Sequence, residues 1–306
     1  MHEIIAIDRQ PDWSKLVQLV LDSVSSPASK RAYGSALRDF LAWYRSEPRP
    51  PFSKAVVQAH KAHLEARGLA PASINIRLSA IRKLATEAAD NGLMAPELAA
   101  GVARVKGAKR QGVRMGNWLT KGQAEALLNS PDTARLKGKR DRALLCVLVG
   151  CGLRRSEAVN LTFNHVQQRE ARWIVLDLVG KHGRVRSVPM PAWAKAAIEV
   201  WATAAGLSEG RIFRAMNKGD RIIGETLNDK AVACTLALYA EPLGLKVAAH
   251  DLRRTYAKLA HTGRAALEQI QLSLGHSSIQ TTERYLGVRQ DLQDAPCDHL
   301  GLKVAA

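Results

Sequence analysis

The N-terminal third of the chain carries apolar residues at the spacing of helix faces. Between residues 28 and 46 they recur three or four positions apart, which places them along one side of a helix. These positions are Tyr33, Leu37, Phe40, Leu41 and Tyr44. A second helix is predicted over residues 53–67, and a third carries apolar residues from 74 to 88 and stops at Asn91-Gly92. The pattern predicts a helical domain over residues 1–103.

The composition changes over residues 104–117, where lysine, arginine and glycine alternate without apolar periodicity. Such a stretch is typical of a linker between domains. The polar face of the third predicted helix is basic as well. Solvated surface charge is the ordinary explanation for these cations, but in a basic protein they are also candidate contacts to phosphates. The candidates are Arg77, Arg82, Lys83, Lys106, Lys109 and Arg110.

Residues 118–306 are predicted to form a second domain, mostly helical with a small sheet. Thr120 and Gln123 fit a capping box, so a helix should begin there. The segments 172–179 and 184–189 flank a glycine-containing turn, which predicts an antiparallel hairpin. Further helices are predicted over residues 193–205, 226–240, 252–261 and 265–274. The expected fold class is mainly α with a small antiparallel β-sheet, a helical N-terminal domain being followed by an α+β domain.

The formal net charge is +17, and hydrophobic residues make up 46% of the chain. The hydrophobic content suffices for ordinary packed cores, while so large a positive excess favours a polyanionic partner, most commonly nucleic acid. A membrane surface is the competing partner. However, no apolar run approaches the roughly 20 residues that span a bilayer, and the N-terminus lacks the features of a secretory signal. The expected location is the cytoplasm, in association with the nucleoid.

Metal and cofactor chemistry find little support in the sequence. His60 and His63 lie three residues apart on a predicted helix, but no set of carboxylates or cysteines accompanies them. The four cysteines show no paired spacing, so reduced and mostly buried thiols are expected. The chain has no glycine-rich nucleotide loop. We therefore expect neither a metal nor a cofactor.

Four segments of the second domain concentrate the side chains that attack on a phosphodiester requires. The phosphate is negative and its transition state spreads charge over the non-bridging oxygens. Catalysis therefore depends on positioned cations, a nucleophile and groups that move protons. In chain order the candidates are Arg154 with Glu157, Lys181, His250 with Arg253, and His276 with Tyr285.

The order Arg, Lys, His-x-x-Arg, Gly-His and Tyr resembles the signature of the tyrosine recombinases, the phage integrase family. Members place the nucleophilic tyrosine nine residues after the last histidine, and here 285 − 276 = 9. They carry the lysine in a hairpin that begins Gly-Lys, as Gly180-Lys181 does here. At Arg254 the family often has histidine, although arginine also occurs. The helical first domain looks like the family's core-binding domain, and the second like its catalytic domain.

The resemblance implies that Arg154 and Arg253 hold the non-bridging oxygens. A guanidinium suits this role because it stays charged and can grip two oxygens at once. His276 would donate a further hydrogen bond, and Glu157 would orient Arg154. The alternative for each of these residues is an ordinary structural or surface role.

The same resemblance assigns the groups that move protons. Tyr285 would attack the phosphate, and His250 would accept its proton, because a phenol with a pKa near 10 needs help at neutral pH. Lys181 would protonate the departing 5′-oxygen. Lys181 is also compatible with a solvated lysine at a hairpin tip, in which case Arg184 is the alternative.

The activity implied is that of a site-specific DNA recombinase, which cuts and rejoins double-stranded DNA through a 3′-phosphotyrosine without ATP. Strand exchange would use a homo-tetramer on DNA, and residues 286–306 could dock onto a neighbouring subunit. A type I topoisomerase with the same chemistry and a catalytically silent DNA-binding regulator are the alternatives. A mobile-element integrase is preferred to an Xer-type role because the N-terminal half shows no close Xer likeness, although cassette exchange and chromosome-dimer resolution stay open.

Overall fold

A computed structural model of the chain describes residues 12–109, 117–180 and 183–287. The chain divides into two compact units, Met1–Val113 and Arg114–Ala306. Two of the candidate residues, Lys181 and Arg110, and the C-terminal segment 288–306 lie outside the described residues. Within the described ranges, no helix combines the length and the apolar character that a bilayer crossing requires.

The N-terminal unit is helical, as predicted. Its described helices are α1 (Trp13–Asp22), α2 (Pro27–Arg45), α3 (Lys54–Ala66), α4 (Pro71–Asp90) and α5 (Pro96–Ala103). The three helices expected from the apolar pattern are α2, α3 and α4, whereas α1 and α5 are additional. Helices α2, α4 and α5 begin with proline, whose missing N–H costs nothing in a first turn. The other four helices pack against α4, which buries Ile74, Leu78, Ile81 and Leu84.

The first part of the predicted linker packs against α4. Val105 is buried, and its carbonyl oxygen accepts a hydrogen bond from Arg82 Nη2. The side chain of Asn75 exchanges two hydrogen bonds with the backbone of Ala108, at 2.8 and 3.1 Å. Residues 105–109 are therefore held by the N-terminal unit, although the composition predicted a linker from residue 104.

The C-terminal unit is mainly helical with one small sheet, in agreement with the predicted fold class. Its described helices are α6 (Lys121–Asn129), α7 (Leu136–Gly150), α8 (Arg155–Val159), α9 (Ala192–Ala205), α10 (Asp229–Ala240), α11 (Ala249–Thr262), α12 (Leu267–Leu274) and α13 (Ile279–Leu286). The capping box of α6 is confirmed, since the side chains of Thr120 and Gln123 each accept a hydrogen bond from the other's backbone N–H. The helix predicted over residues 252–261 begins earlier, at Ala249, which places His250 in its first turn.

The apolar pattern does not predict helix α7, because a polar first half is followed by a second half that is buried on all sides. Every residue from Ala143 to Val149 is buried. A helix that is apolar all round lacks the single stripe by which amphipathic helices are found in a sequence. Helix α9 packs along it and contributes Trp201, whose indole N–H donates to the carbonyl of Ile212 at 2.8 Å.

The sheet has three antiparallel strands in chain order: β1 (Val166–Arg169), β2 (Arg172–Val179) and β3 (Val185–Pro189). The predicted hairpin of β2 and β3 is confirmed, and β1 is additional. Val175 pairs with Val188, and both are buried. Arg186 stands two residues before Val188, so it faces the same, inward side of β3. This strand therefore carries a cation toward the interior of the unit.

Candidate active site

A tight turn between α7 and α8 positions Arg154, the residue that precedes α8. Gly152 has a φ of +58°, and a Cβ at this position would lie 2.7 Å from the Tyr256 ring, so a larger residue does not fit. The carbonyl oxygen of Gly152 accepts a hydrogen bond from Arg253 Nη1 at 2.6 Å. The turn therefore links the first arginine of the candidate site to the second.

Glu157 on α8 is the anion at the centre of an arginine cluster. It accepts hydrogen bonds from Arg154 Nη1 at 2.7 Å and from the Arg154 backbone N–H at 2.8 Å. Both of its oxygens accept from Arg186, each at 2.9 Å, and Arg253 Nη1 lies 4.0 Å away. Burial alone would raise the pKa of this carboxyl, but the hydrogen bonds from Arg186 and Arg154 lower it to about 2. Glu157 is therefore ionised at neutral pH.

Arg186 is the residue of this cluster that sequence reasoning missed. Its side chain is 9% exposed, and besides Glu157 it contacts the end of α12, where Nε donates to the carbonyl of Ser273 at 2.8 Å. The signal that could have found it is strand alternation, because a charged residue two positions from Val188 falls on the buried face. The family signature did not point to this arginine.

Arg253 on α11 is 1% exposed and is held by backbone oxygens. Its Nη1 and Nη2 donate to the carbonyls of Gly152 and Leu274, whereas Nε has no hydrogen-bond partner among the described residues. Burial and the nearby Arg154 lower its pKa to about 10, so the charge persists at neutral pH. Because these carbonyl groups are neutral, the positive charge of Arg253 can still pair with an anion.

The hydroxyl of Tyr285 on α13 lies beside the first turn of α11. Its oxygen is 3.4 Å from His250 Nε2 and 3.4 Å from the His250 carbonyl oxygen. The two rings meet edge to face, with centroids 5.6 Å apart. The Tyr285 ring packs on a small apolar cluster formed by Ala257, Ile270, Leu274 and Leu286. The packing of α11, α12 and α13 thus places a phenol within reach of an imidazole.

His276 follows the end of α12. Gly275 has a φ of +64° there, and the His276 backbone N–H donates to the carbonyl of Gln271 at 3.2 Å, as in a Schellman ending. The His276 Nδ1 lies 3.0 Å from the hydroxyl of the buried Thr282, and its ring centroid is 5.3 Å from that of Tyr285. Burial and the surrounding arginines lower its pKa to about 4, so the imidazole is neutral at pH 7.

The remaining protonation states suit transfer of a proton from Tyr285 to His250. Burial and the nearby Arg253 and Arg254 lower the pKa of His250, so its ring is neutral and can accept a proton. Burial raises the pKa of Tyr285, although Arg253 and Arg254 oppose that rise. The phenol is therefore protonated at neutral pH and needs an acceptor before it can attack.

An open cleft of about 270 Å³ lies at this position. Its lining includes Arg154, Arg155, His250 and Arg253, and Asp229 adds a carboxylate. Cations, a neutral imidazole and a nearby phenol can together bind a phosphate and attack it with an oxygen nucleophile.

Comparison with known proteins agrees with this chemistry. The family model described as the phage integrase family matches residues 117–291, more than half of the chain. The chain belongs to the phage integrase family. A second model, the N-terminal SAM-like domain of phage integrases, matches residues 16–92 of this recombinase.

Relatives of this recombinase match both units. It is 33% identical to a tyrosine recombinase of Synechococcus elongatus, over 96% of this chain and 95% of that protein. It is 29% identical to the tyrosine recombinase XerD of Vibrio cholerae, over 84% of each protein. Its fold resembles the crystal structure of the XerH site-specific recombinase bound to a difH substrate, with a TM-score of 0.71 and 18% identity over 90% of this chain and 81% of that one. The protein is an enzyme of site-specific recombination.

The basic residues predicted to bind nucleic acid belong to the N-terminal unit of the recombinase, whereas the cleft residues all belong to the C-terminal unit. Arg77 forms an ion pair at 3.2 Å and Lys83 one at 2.7 Å, and Arg82 donates to a backbone carbonyl. Lys106 and Lys109 are exposed. The cations on α4 thus already have partners within their own unit.

Proposed function

We propose that this recombinase cuts and rejoins double-stranded DNA at specific sites, with Tyr285 as the nucleophile and a 3′-phosphotyrosine as the intermediate. The observation that carries the proposal is the Tyr285 hydroxyl, 3.4 Å from Nε2 of a neutral His250, next to a cleft that Arg154 and Arg253 line. A nucleophile beside a base and two cations is the arrangement that transfer of a phosphodiester requires.

In this proposal Arg154 and Arg253 hold the non-bridging oxygens of the scissile phosphate. The Arg154 side chain is 32% exposed although it is bonded to Glu157, so it can reach a ligand in the cleft. Arg253 offers a charge whose described partners are mainly carbonyl oxygens. In this proposal the Thr282 hydroxyl, 3.0 Å from His276 Nδ1, donates to that nitrogen, so the imidazole proton lies on Nε2 and His276 adds a neutral donor.

In the cleavage step, the Tyr285 oxygen forms a bond to phosphorus while the bond from phosphorus to the 5′-oxygen breaks. His250 accepts the phenol proton, and Lys181 donates a proton to the 5′-oxygen, with Arg184 as the alternative donor in the same hairpin. Rejoining reverses these steps with a 5′-hydroxyl as the nucleophile. The phosphoester bond is conserved in the covalent intermediate, so resealing needs no ATP.

The two halves of the chain divide the work in this proposal. Residues 1–103 act as a core-binding domain on DNA, assisted by the exposed Lys106 and Lys109, and residues 118–306 act as the catalytic domain. The similar XerH structure is of a complex with its difH DNA, which supports DNA as the partner. Because exchange between two duplexes needs four active sites, the working form is a homo-tetramer on DNA. In that tetramer residues 286–306 dock on a neighbouring subunit, and the complex works at the nucleoid.

Likeness to an Xer protein in the N-terminal half removes the reason for preferring a mobile-element role. The match to XerD covers 84% of the chain. Residues 114–306 alone cannot supply that coverage, so the match extends into the N-terminal unit. Integration of a mobile element and resolution of chromosome dimers are therefore both compatible with the sequence. The DNA that becomes joined to the protein distinguishes them.

The first prediction tests the nucleophile. Genomic DNA of the source organism is incubated with the wild-type protein, and DNA that stays linked after denaturation is sequenced to give the site. A nicked duplex of that site should form a covalent, protease-sensitive adduct with wild type. Tyr285→Phe loses only the hydroxyl, so it should still bind the duplex. It should form no adduct, because the oxygen that would bond to phosphorus is missing.

Tyr256→Phe is the matched control, because it keeps the ring that packs against Gly152 and should still form the adduct. An adduct with Tyr285→Phe, or none with wild type, would refute the proposed function.

A further inference from the structure

Arg186 is a cation on the inward face of a sheet, where apolar side chains are the rule. A buried guanidinium is costly unless its N–H groups are paired. Here all three nitrogens have partners, Nη1 and Nη2 on the two oxygens of Glu157 and Nε on the carbonyl of Ser273. So complete a set of contacts, with 9% exposure, marks a side chain whose position is fixed.

These contacts join segments that carry different candidate catalytic groups. Through Glu157, Arg186 acts on Arg154, which donates to the same carboxylate at 2.7 Å. Through Ser273 it holds the end of α12, and a Cβ at Gly275 would lie 2.8 Å from Arg186 Cδ. His276 is the next residue. Arg186 therefore contacts the supports of both Arg154 and His276.

Arg186 also changes the charge balance around Arg154. Glu157 carries one negative charge, and it is shared by the guanidinium groups of Arg154 and Arg186, with Arg253 4.0 Å away. Without Arg186, Arg154 alone would form the close ion pair with Glu157, and less of its charge would be left for a phosphate. Arg186 thereby makes the cluster of Arg154, Arg186 and Glu157 net positive.

We propose that Arg186 is a positioning residue for strand cleavage, which holds Glu157 and the end of α12 so that Arg154 and His276 face the scissile phosphate. It acts through these neighbours and does not touch the reacting atoms. This inference rests on the proposed function, because it assumes that cleavage by Tyr285 is the reaction served.

The test compares wild type, Arg186→Gln and Arg186→Lys in single-turnover cleavage of the nicked duplex. Arg186→Gln should bind the duplex as wild type does but cleave about 10²–10³-fold more slowly, because misplacing Arg154 should cost as much as losing one donor to the transition state. Arg186→Lys should fall between the two, because an ammonium keeps the charge but cannot grip both oxygens of Glu157. Arg172→Gln removes an exposed arginine from the same sheet and should cleave normally.

A second substrate separates positioning from a general loss of structure. It carries a methylphosphonate at the scissile position, where a methyl group replaces one charged oxygen. Because less negative charge then needs stabilising, the deficit of Arg186→Gln relative to wild type should shrink. An equal deficit on both substrates would show a purely structural role and overturn the inference. If Arg186→Gln does not fold, Arg186→Lys carries the same comparison.

A double-mutant cycle with Glu157→Gln tests whether Arg186 works through Glu157. If it does, the double variant should cleave no more slowly than Arg186→Gln alone, because no carboxylate is left to neutralise Arg154. If the rate deficits of Arg186→Gln and Glu157→Gln multiply in the double variant, Arg186 does not work through Glu157. Failure of the two proposals is distinguishable: absence of a Tyr285 adduct in wild type defeats the proposed function, whereas normal cleavage by Arg186→Gln defeats this inference alone.

Discussion

The Tyr285 ring has a cation against it. The Arg254 guanidinium lies 4.8 Å from the ring centroid, and Asp251 holds it at 3.2 Å. The titratable and charged groups that face the phenol are His250, Asp251, Arg253 and Arg254 of α11, together with Arg154 and His276. Arg254 is also the position at which the chain departs from the histidine frequent in its family. A cation against the ring of the proposed nucleophile is thus a property of this sequence.

Removing that cation should change the pH dependence of cleavage. Arg254 opposes the rise in the Tyr285 pKa that burial causes, so Arg254→Gln should raise this pKa. The pH at which the single-turnover rate of adduct formation reaches half its maximum should therefore move upward, by about one unit. Lys258→Gln is the control, because Lys258 lies over Trp118, at 4.7 Å, one helical turn further along α11. An equal shift in both variants, or a downward shift in Arg254→Gln, would contradict the argument.

The candidate reactive side chains could be singled out from the sequence one by one, whereas their supporting contacts could not. Spacing along the chain singles out His250, His276 and Tyr285, and the structure brings their rings together. Arg186 and Thr282 have no such spacing. Their partners lie on other elements, so their roles follow from tertiary contacts that a motif does not encode.

At the scale of the element, amphipathic helices and paired strands are predictable because one face differs from the other. This holds for α2, α3 and α4 and for the β2–β3 hairpin. It fails for α7, whose second half is apolar all round, and for α8, whose five residues are too few to show a period. Both flank the turn that carries Arg154, so the local frame of the site was less predictable than its residues.

Helix α3 carries an unpaired polar group in the N-terminal core. His60 is fully buried between Phe40 and Trp43, with ring centroids 5.1 and 4.7 Å away. Neither ring nitrogen has a hydrogen-bond partner among the described residues. Burial lowers the pKa of His60 from 6.5 to about 4. The folded protein therefore binds this proton less readily than the unfolded chain does.

His60→Leu should stabilise the protein and reduce its sensitivity to acid. Above pH 6.5 protonation of His60 does not lower the free energy of unfolding of the wild type. As the pH falls from 6.5 toward 4, proton binding by the unfolded chain lowers that free energy by about 3 kcal/mol in all. Leucine has a similar volume and no proton to bind, so the unfolding temperature by calorimetry should differ less between pH 7.5 and pH 5. His63→Leu, on the same helix, should keep the wild-type difference. If His60→Leu keeps it too, His60 is not the acid-sensitive group.

At the scale of the whole molecule, the net charge of +17 matters for the strength and salt dependence of DNA binding. A basic composition predicts a polyanionic partner but does not show which cations are free to meet it. The structure separates them: Arg77 and Lys83 already have carboxylate partners, whereas Lys106 and Lys109 are exposed. Equal contributions from all the predicted DNA-binding residues are therefore not expected.

Salt titration tests this ranking. Each phosphate neutralised on duplex DNA contributes about −0.9 to the slope of log affinity against log salt concentration, because condensed counterions are released. Lys106→Gln and Lys109→Gln should each make that slope shallower by about 0.9 and weaken binding evenly across DNA sequences. Lys83→Gln should change it less, since Lys83 lies 2.7 Å from Glu87. Fluorescence anisotropy with the identified duplex between 50 and 200 mM KCl measures the slopes, and a larger effect of Lys83→Gln would place DNA along α4 instead.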